Sequence, residues 1–213
     1  VKAMRAVAKS CKADTRQMLL YSTYETNPEV AGHILLFSAG ILGSDSNQAL
    51  GHALQHSNGQ IRIVAFRMLA RASASHAIVM ARKLIMDDEP ALRRDARLIL
   101  KQAKDPTIGK QLPKLIKSPQ FKAWDDAEKS EVLVWALQIL EPHGSEFVGG
   151  IASNAGLFAA QYDRDLSVLA IAALGMVGGN REIEILRKLR KSVTAHPNAR
   201  KAAKAALDKL EQR

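Results

Sequence analysis

Cysteine is almost missing from this 213-residue chain. Cys11 stands alone, so no internal disulfide can form and no cysteine cluster offers a structural zinc site. A lone thiol suits a reducing compartment, and a cytoplasmic location is the expectation. Aromatic residues make up only 5%. No apolar run reaches the roughly 18 residues of a membrane span. The longest, Ile34 to Leu42, is broken by Ser38 and Gly40 and reads as a buried helix. Phosphate-cradling glycine patterns are missing too: no GxGxxG occurs, and Gly109-Lys110 lacks the upstream glycine of a P-loop. No GxSxG elbow is present. Val1 stands where an initiator Met would, with no signal-peptide layout after it. The expectation is one array over residues 1–213, excised from a longer chain.

What is present is helical. Hydrophobic residues make up 47% and charged residues 24%, the balance of a chain that folds. Strand-like alternation never persists, whereas helical spacing recurs between short breaks. The breaks fall at Asn27-Pro28, Ser57-Asn58-Gly59, Asp87 to Pro90, Lys104-Asp105-Pro106, Glu141 to Gly144, Gly178-Gly179 and His196-Pro197. They divide the chain into about a dozen helices, of all-α class.

A pattern repeats within those helices. An apolar residue is followed by a polar or basic one, then by small or apolar residues four, seven and eight positions after the first. It reads Ile61-Arg62, Ala65, Met68-Leu69, and again Leu92-Arg93, Ala96, Ile99-Leu100. It returns at Leu166-Ser167, Ala170, Ala173-Leu174 and at Ala199-Arg200, Ala203, Ala206-Leu207, with weaker copies anchored at Val30 and Lys129. Offsets of four, seven and eight share one helix face, and an alanine four places in admits a neighbouring helix closely. Each copy follows another amphipathic helix, so the unit is a helix pair that must stack on its neighbours to bury its stripe. The two units with anchors 37 residues apart leave room for extra loop near Ser118 to Trp124 and Gly156 to Asp163.

The code Ile61-Arg62-x-x-Ala65-x-x-Met68-Leu69, with the Asp-rich, Pro-containing turn before the next copy (Asp87-Asp88-Glu89-Pro90), resembles HEAT repeats. Leu166 to Gly178 looks like the bacterial form. The resemblance covers essentially the whole chain. It implies a right-handed α-solenoid of about six helix pairs, and a binding scaffold whose second helices line the concave face.

Net charge is +10, distributed unevenly. Residues 62–104 carry ten Lys/Arg against four Asp/Glu, residues 118–165 three against eight, and residues 181–213 ten against four. On the second helices, Arg67 with Arg71, Arg93 with Arg97 and Lys101, and Arg200 with Lys204 make stripes at four-residue spacing. Such stripes suit an acidic peptide or a phosphate backbone, or else simply form a solvated face. The corresponding middle positions are Val134, Trp135, Gln138, Ile171 and Gly175. A groove with an apolar floor and basic ends would take an amphipathic or acidic protein segment, anchored on Trp135. Trp135 turned into the core beside Leu133 and Leu137 is the competing placement.

Enzyme readings are weaker. Cys11 shares a face with Val7 and Leu19 and reads as a buried, inert thiol. His52 and His56 are one helical turn apart, but no HExxH pattern or third ligand accompanies them, and they read as surface residues. The HEAT-repeat di-iron hydroxylases use His-Glu dipeptides, and none occurs here. The alternative is nucleic-acid binding, including a HEAT-like alkylpurine DNA glycosylase built on Trp124, Asp125, Asp126 and Arg164. Against it, the neighbouring acids would repel DNA, and Asp125-Asp126 stand where helix caps belong. The expectation is a non-catalytic interaction scaffold without cofactor or metal.

Overall fold

The computed structural model describes residues 17–18, 21, 24–25, 27–42, 46–140, 143–154 and 156–212. It is all-α: among the described residues the only β pairing is one isolated antiparallel bridge, Gly156 to Ala195. The chain falls into two compact units, Val1–Pro106 and Thr107–Arg213. Cys11 and Val7 lie outside the described residues.

The first unit holds α1 (Pro28–Leu42), α2 (Asn47–Ala53), α3 (Gly59–Ala72), α4 (Ala74–Leu84) and α5 (Pro90–Gln102). The second holds α6 (Ile108–Ile116), the single turn α7 (Pro119–Lys122), α8 (Asp126–Ile139), α9 (Gly144–Ser153), α10 (Gln161–Val177), α11 (Asn180–Lys191) and α12 (Pro197–Glu211). The expected breaks start these helices because they carry caps. Asn58 accepts from the Gln60 N–H at 2.9 Å, and Asp125 from the Glu128 N–H at 2.7 Å. Pro28, Pro90 and Pro197 occupy first-turn positions, where a missing N–H costs nothing.

Packing follows one rule within each unit. The helix of each pair that carries the repeated code lies against its partner and against the code-bearing helix of the next pair. In the first unit α3 packs on α1, α2, α4 and α5. In the second, α10 packs on α8, α9, α11 and α12. The code positions are the core: Ile61, Ala65, Leu92, Ala96, Leu100, Ala170, Leu174 and Ala203 are all sealed from solvent. The weak first copy is shifted by one residue. Val30 is 42% exposed, while Ala31, Leu35, Ser38 and Ala39 are buried. The anchor there is Ala31, because that register turns Leu35 and Leu42 inward as well.

The basic second position has a local task. Arg62 Nη1 donates to the carbonyls of His56 and Ser57 at 2.8 and 3.0 Å, six and five residues earlier. Arg93 Nη1 does the same with Asp87 and Asp88, at 2.7 and 3.0 Å. Each guanidinium answers carbonyls in the turn between the two helices of a pair, which the ended helix leaves without N–H partners. Arg62 also grips the Asp87 carboxylate through Nε and Nη2 at 3.1 and 2.6 Å, linking one pair to the turn of the next. Where the second position is serine the partner changes: Ser167 Oγ donates to the Ala152 carbonyl at 2.5 Å.

Arg93→Met should cost about 2 kcal/mol by urea denaturation, the scale of losing charge-assisted bonds to half-buried carbonyls. Gly178, at φ +67° and donating to the Leu174 carbonyl, closes α10 in a left-handed conformation. A Cβ there would meet Leu210 Cδ2 at 2.6 Å. Gly178→Ala should therefore lower stability by about 1–2 kcal/mol, measured as a drop in Tm.

Candidate functional site

Five of the nine predicted contact residues belong to the first unit and four to the second. Arg67 projects from α3 with its side chain 59% exposed and pairs with Asp95 at 2.7 Å; Arg71, in the last turn of α3, is exposed, as is Lys101. Arg93 and Arg97 are only 5% and 3% exposed. The expectation of an open basic stripe through them does not hold, because Arg93 is turned back onto the preceding turn. Phe66, the one aromatic among these arginines, is fully buried and offers no face to a base.

The groove-floor expectation also needs correction. Trp135 is 2% exposed and Ile171 is sealed, so both belong to the core; Val134 is half-buried and Gln138 exposed. The indole is the largest of the fully buried side chains, and its apolar area outweighs what solvent exposure would return. The competing placement, Trp135 beside buried Leu133 and Leu137, is the observed one.

The residues singled out for base excision are each engaged locally. Trp124 is 7% exposed and stacks on Phe121, ring centroids 5.2 Å apart at 59°. Asp125 is the cap of α8, Asp126 pairs with Lys129 at 3.5 Å, and Arg164 Nε donates to the Ala159 carbonyl at 2.7 Å. His52 is exposed, while His56 Nδ1 accepts from the Asn58 N–H at 2.9 Å. Among the described residues no group of three His, Cys, Asp or Glu could hold a metal, and no helix is long and apolar enough to cross a membrane.

Which helix offsets face solvent explains these outcomes. Counted from Ile61, Leu92 and Leu166, positions one and five turn toward the preceding turn or the core, as Arg93, Arg97, Phe66, Ser167 and Ile171 do, whereas Lys204, five after Ala199, is exposed. Positions six and ten point outward: Arg67 and Arg71, Leu98 and Gln102, Ala172 and Met176, Ala205 and Lys209 are all exposed. The exceptions lie on α1 and α8, where Phe37, Ile41 and Ile139 are half-buried and Trp135 is buried.

On α10 and α12 those outward positions make a groove of about 330 Å³. Ile171, Ala172, Gly175, Met176, Ala205 and Lys209 line it, with the solvent-sealed Ile171 at its base. Its walls are close because Gly175 has no side chain; a Cβ there would stand 2.9 Å from Ala206 Cβ. Met176, 59% exposed, supplies a deformable apolar lip. The signal was in the sequence, as the small residues six places after the last two anchors.

Searched against protein-family models the chain matches none, and no curated protein matches it in sequence.

A second, smaller cavity of about 220 Å³ holds Tyr162, Lys117, Lys122, Phe147 and Leu166. The Tyr162 ring carries Lys122 Nζ at 5.1 Å and Lys129 Nζ at 5.5 Å from its centroid. Its hydroxyl is shut off from solvent and has no hydrogen-bond partner among the described residues. Burial, and secondarily the charge of Asp163, push its pKa above the usual tyrosine value. A phenol that ionises later in the folded state loses relative stability as pH rises past the unfolded value near 10. Tyr162→Phe should thus leave stability unchanged or higher at neutral pH. Above pH ~10 the gap should widen in the variant's favour, read by denaturant titration of both proteins across that range.

Proposed function

We propose that the chain is a HEAT-like α-solenoid acting as a non-catalytic interaction module, its second helices receiving a segment of a partner protein. The observation that supports this best is the groove between α10 and α12. It has an apolar floor, a methionine lip and Lys209 at its edge. That chemistry suits an amphipathic segment with an acidic residue near one end, its apolar side chains seated against Ala172 and Ala205. Relative to the sequence expectation, contact moves from Trp135 to the exposed positions of α10 and α12, with Ile171 and Gly175 still lining the groove.

The HEAT-like reading is supported by the repeated code falling on all six pair-forming helices and by the repeated arginine tie to the preceding turn. The nucleic-acid alternative has less to use. Arg93 and Arg97 are buried, Arg62 and Arg82 are ion-paired, and the nearest aromatic is covered.

A random peptide phage library panned on the full chain tests the proposal. Enriched peptides should be amphipathic with an acidic residue, and Ala172→Glu should abolish their binding without lowering Tm. Peptides that bind Ala172→Glu as tightly as the parent would refute it. So would tight binding of a duplex oligonucleotide with a steep loss on added salt.

A further inference from the structure

The second unit carries an apolar projection beside an unfilled hollow. Ala159 N–H donates to the Gly156 carbonyl at 3.1 Å, closing a tight turn whose central residues are Leu157 and Phe158. Turn tips ordinarily hold Gly, Asn, Asp, Ser or Pro. Here Leu157 is 48% and Phe158 99% exposed. A phenyl ring wholly in water contributes nothing to its own fold, and the turn geometry does not call for it. Val193, 80% exposed, belongs to the adjoining segment that the Gly156–Ala195 bridge ties to this turn.

The hollow lies next to it, between the first helices α9 and α11, with a volume of about 620 Å³. Gly149, Gly150, Ile185, Leu189 and Ala195 give it an apolar base, and Gly156 lies at its edge. Among the described residues nothing would stand within 4 Å of a Cβ at Gly150. Glu146 and Lys188 also line it. Both are exposed, and Glu146 makes only a 3.5 Å contact with exposed His143.

We propose that a second copy of this chain occupies this hollow, with Leu157 and Phe158 of each copy seated between α9 and α11 of the other. Projection and hollow meet at Gly156, so a twofold axis near that residue exchanges both contacts at once. Glu146 and Lys188 line the hollow together, so each copy presents both signs of charge to the other. The alternative occupant is a bilayer, for which exposed Arg187, Lys188, Arg190 and Lys191 on α11 outnumber exposed Glu146, Asp163 and Asp165, but a bilayer surface would cover the projection and leave the hollow beside it unfilled. This interface shares no residue with the groove between α10 and α12, so the two proposals stand or fall separately.

Sedimentation equilibrium of the full chain over a wide concentration range tests it. The parent should show a monomer–dimer equilibrium. Phe158→Ser should weaken dimerisation on the order of thirtyfold, as loss of a buried aromatic anchor does, with Tm of the monomer unchanged. Glu146→Lys and Lys188→Glu should each weaken it alone, and the double exchange should restore it. A parent that stays monomeric at every concentration overturns the proposal, as does a dimer indifferent to Phe158→Ser. Binding of monomers to phosphatidylserine vesicles that depends on Phe158 would overturn it in favour of a membrane contact.

Discussion

Everything in this fold depends on one shortage: a pair of helices of about a dozen residues each has too little facing surface to bury its own apolar stripe. The code-bearing helix of each pair must therefore find another such helix as well as its own partner. Small residues make that possible. Ala65, Ala96, Ala170 and Ala203 stand four places after their anchors, fully buried, where a longer side chain would hold the neighbouring helix away. The α10–α12 contact takes this furthest, with Gly175 against Ala206. Contacts made this way join near neighbours only, so each pair depends chiefly on the pairs beside it.

The same shortage accounts for the arginines. A sharp turn between two packed helices leaves carbonyls near the core with no N–H to meet them. A guanidinium reaching back five and six residues supplies two donors from one side chain. Arg62 and Arg93 repeat that geometry with nearly equal distances. Asp87 then carries the tie from one pair to the next through Arg62. Turn, helix start and inter-pair contact are thus fixed by one set of hydrogen bonds. The charge of these residues is spent on the chain itself, not presented to a partner.

How much of this was legible varies with the physics. Helix boundaries were readable because caps and first-turn prolines act locally: Asn58, Asp125 and Pro197 mark their helices without help from distant residues. The core stripe was readable because its period is that of the helix. The one-residue slip at Val30 arose where Ile34, Leu35 and Leu36 are consecutive and permit either register. The candidate surface was harder to read, because a residue beside the stripe can turn either way. Trp135 occupies an offset whose equivalents Arg67, Leu98, Ala172 and Ala205 are exposed, yet it is buried. Which way such a residue turns is decided by what packs over it, and periodicity carries no record of that. The Leu157–Phe158 turn was located only as extra loop, since the code says nothing about segments between helices.

The charge tally points the same way. Ten basic residues in 62–104 suggest a polyanion site when counted along the chain. In the folded unit, Arg62, Arg67 and Arg82 are paired with Asp87, Asp95 and Asp105. Arg93 is committed to backbone carbonyls and Arg97 is buried. Half of the ten are thereby engaged within the unit, and three carry a carboxylate that cancels their field at a distance of one Debye length. At Arg62, Arg67, Arg82 and Arg93 a phosphate backbone would have to displace an aspartate or expose a carbonyl before gaining a contact. An amphipathic segment seated on small apolar residues faces no such exchange, because the positions it would cover are empty of internal partners' charge. Of the two readings, the proposed seating of an apolar segment is therefore the less costly for this surface.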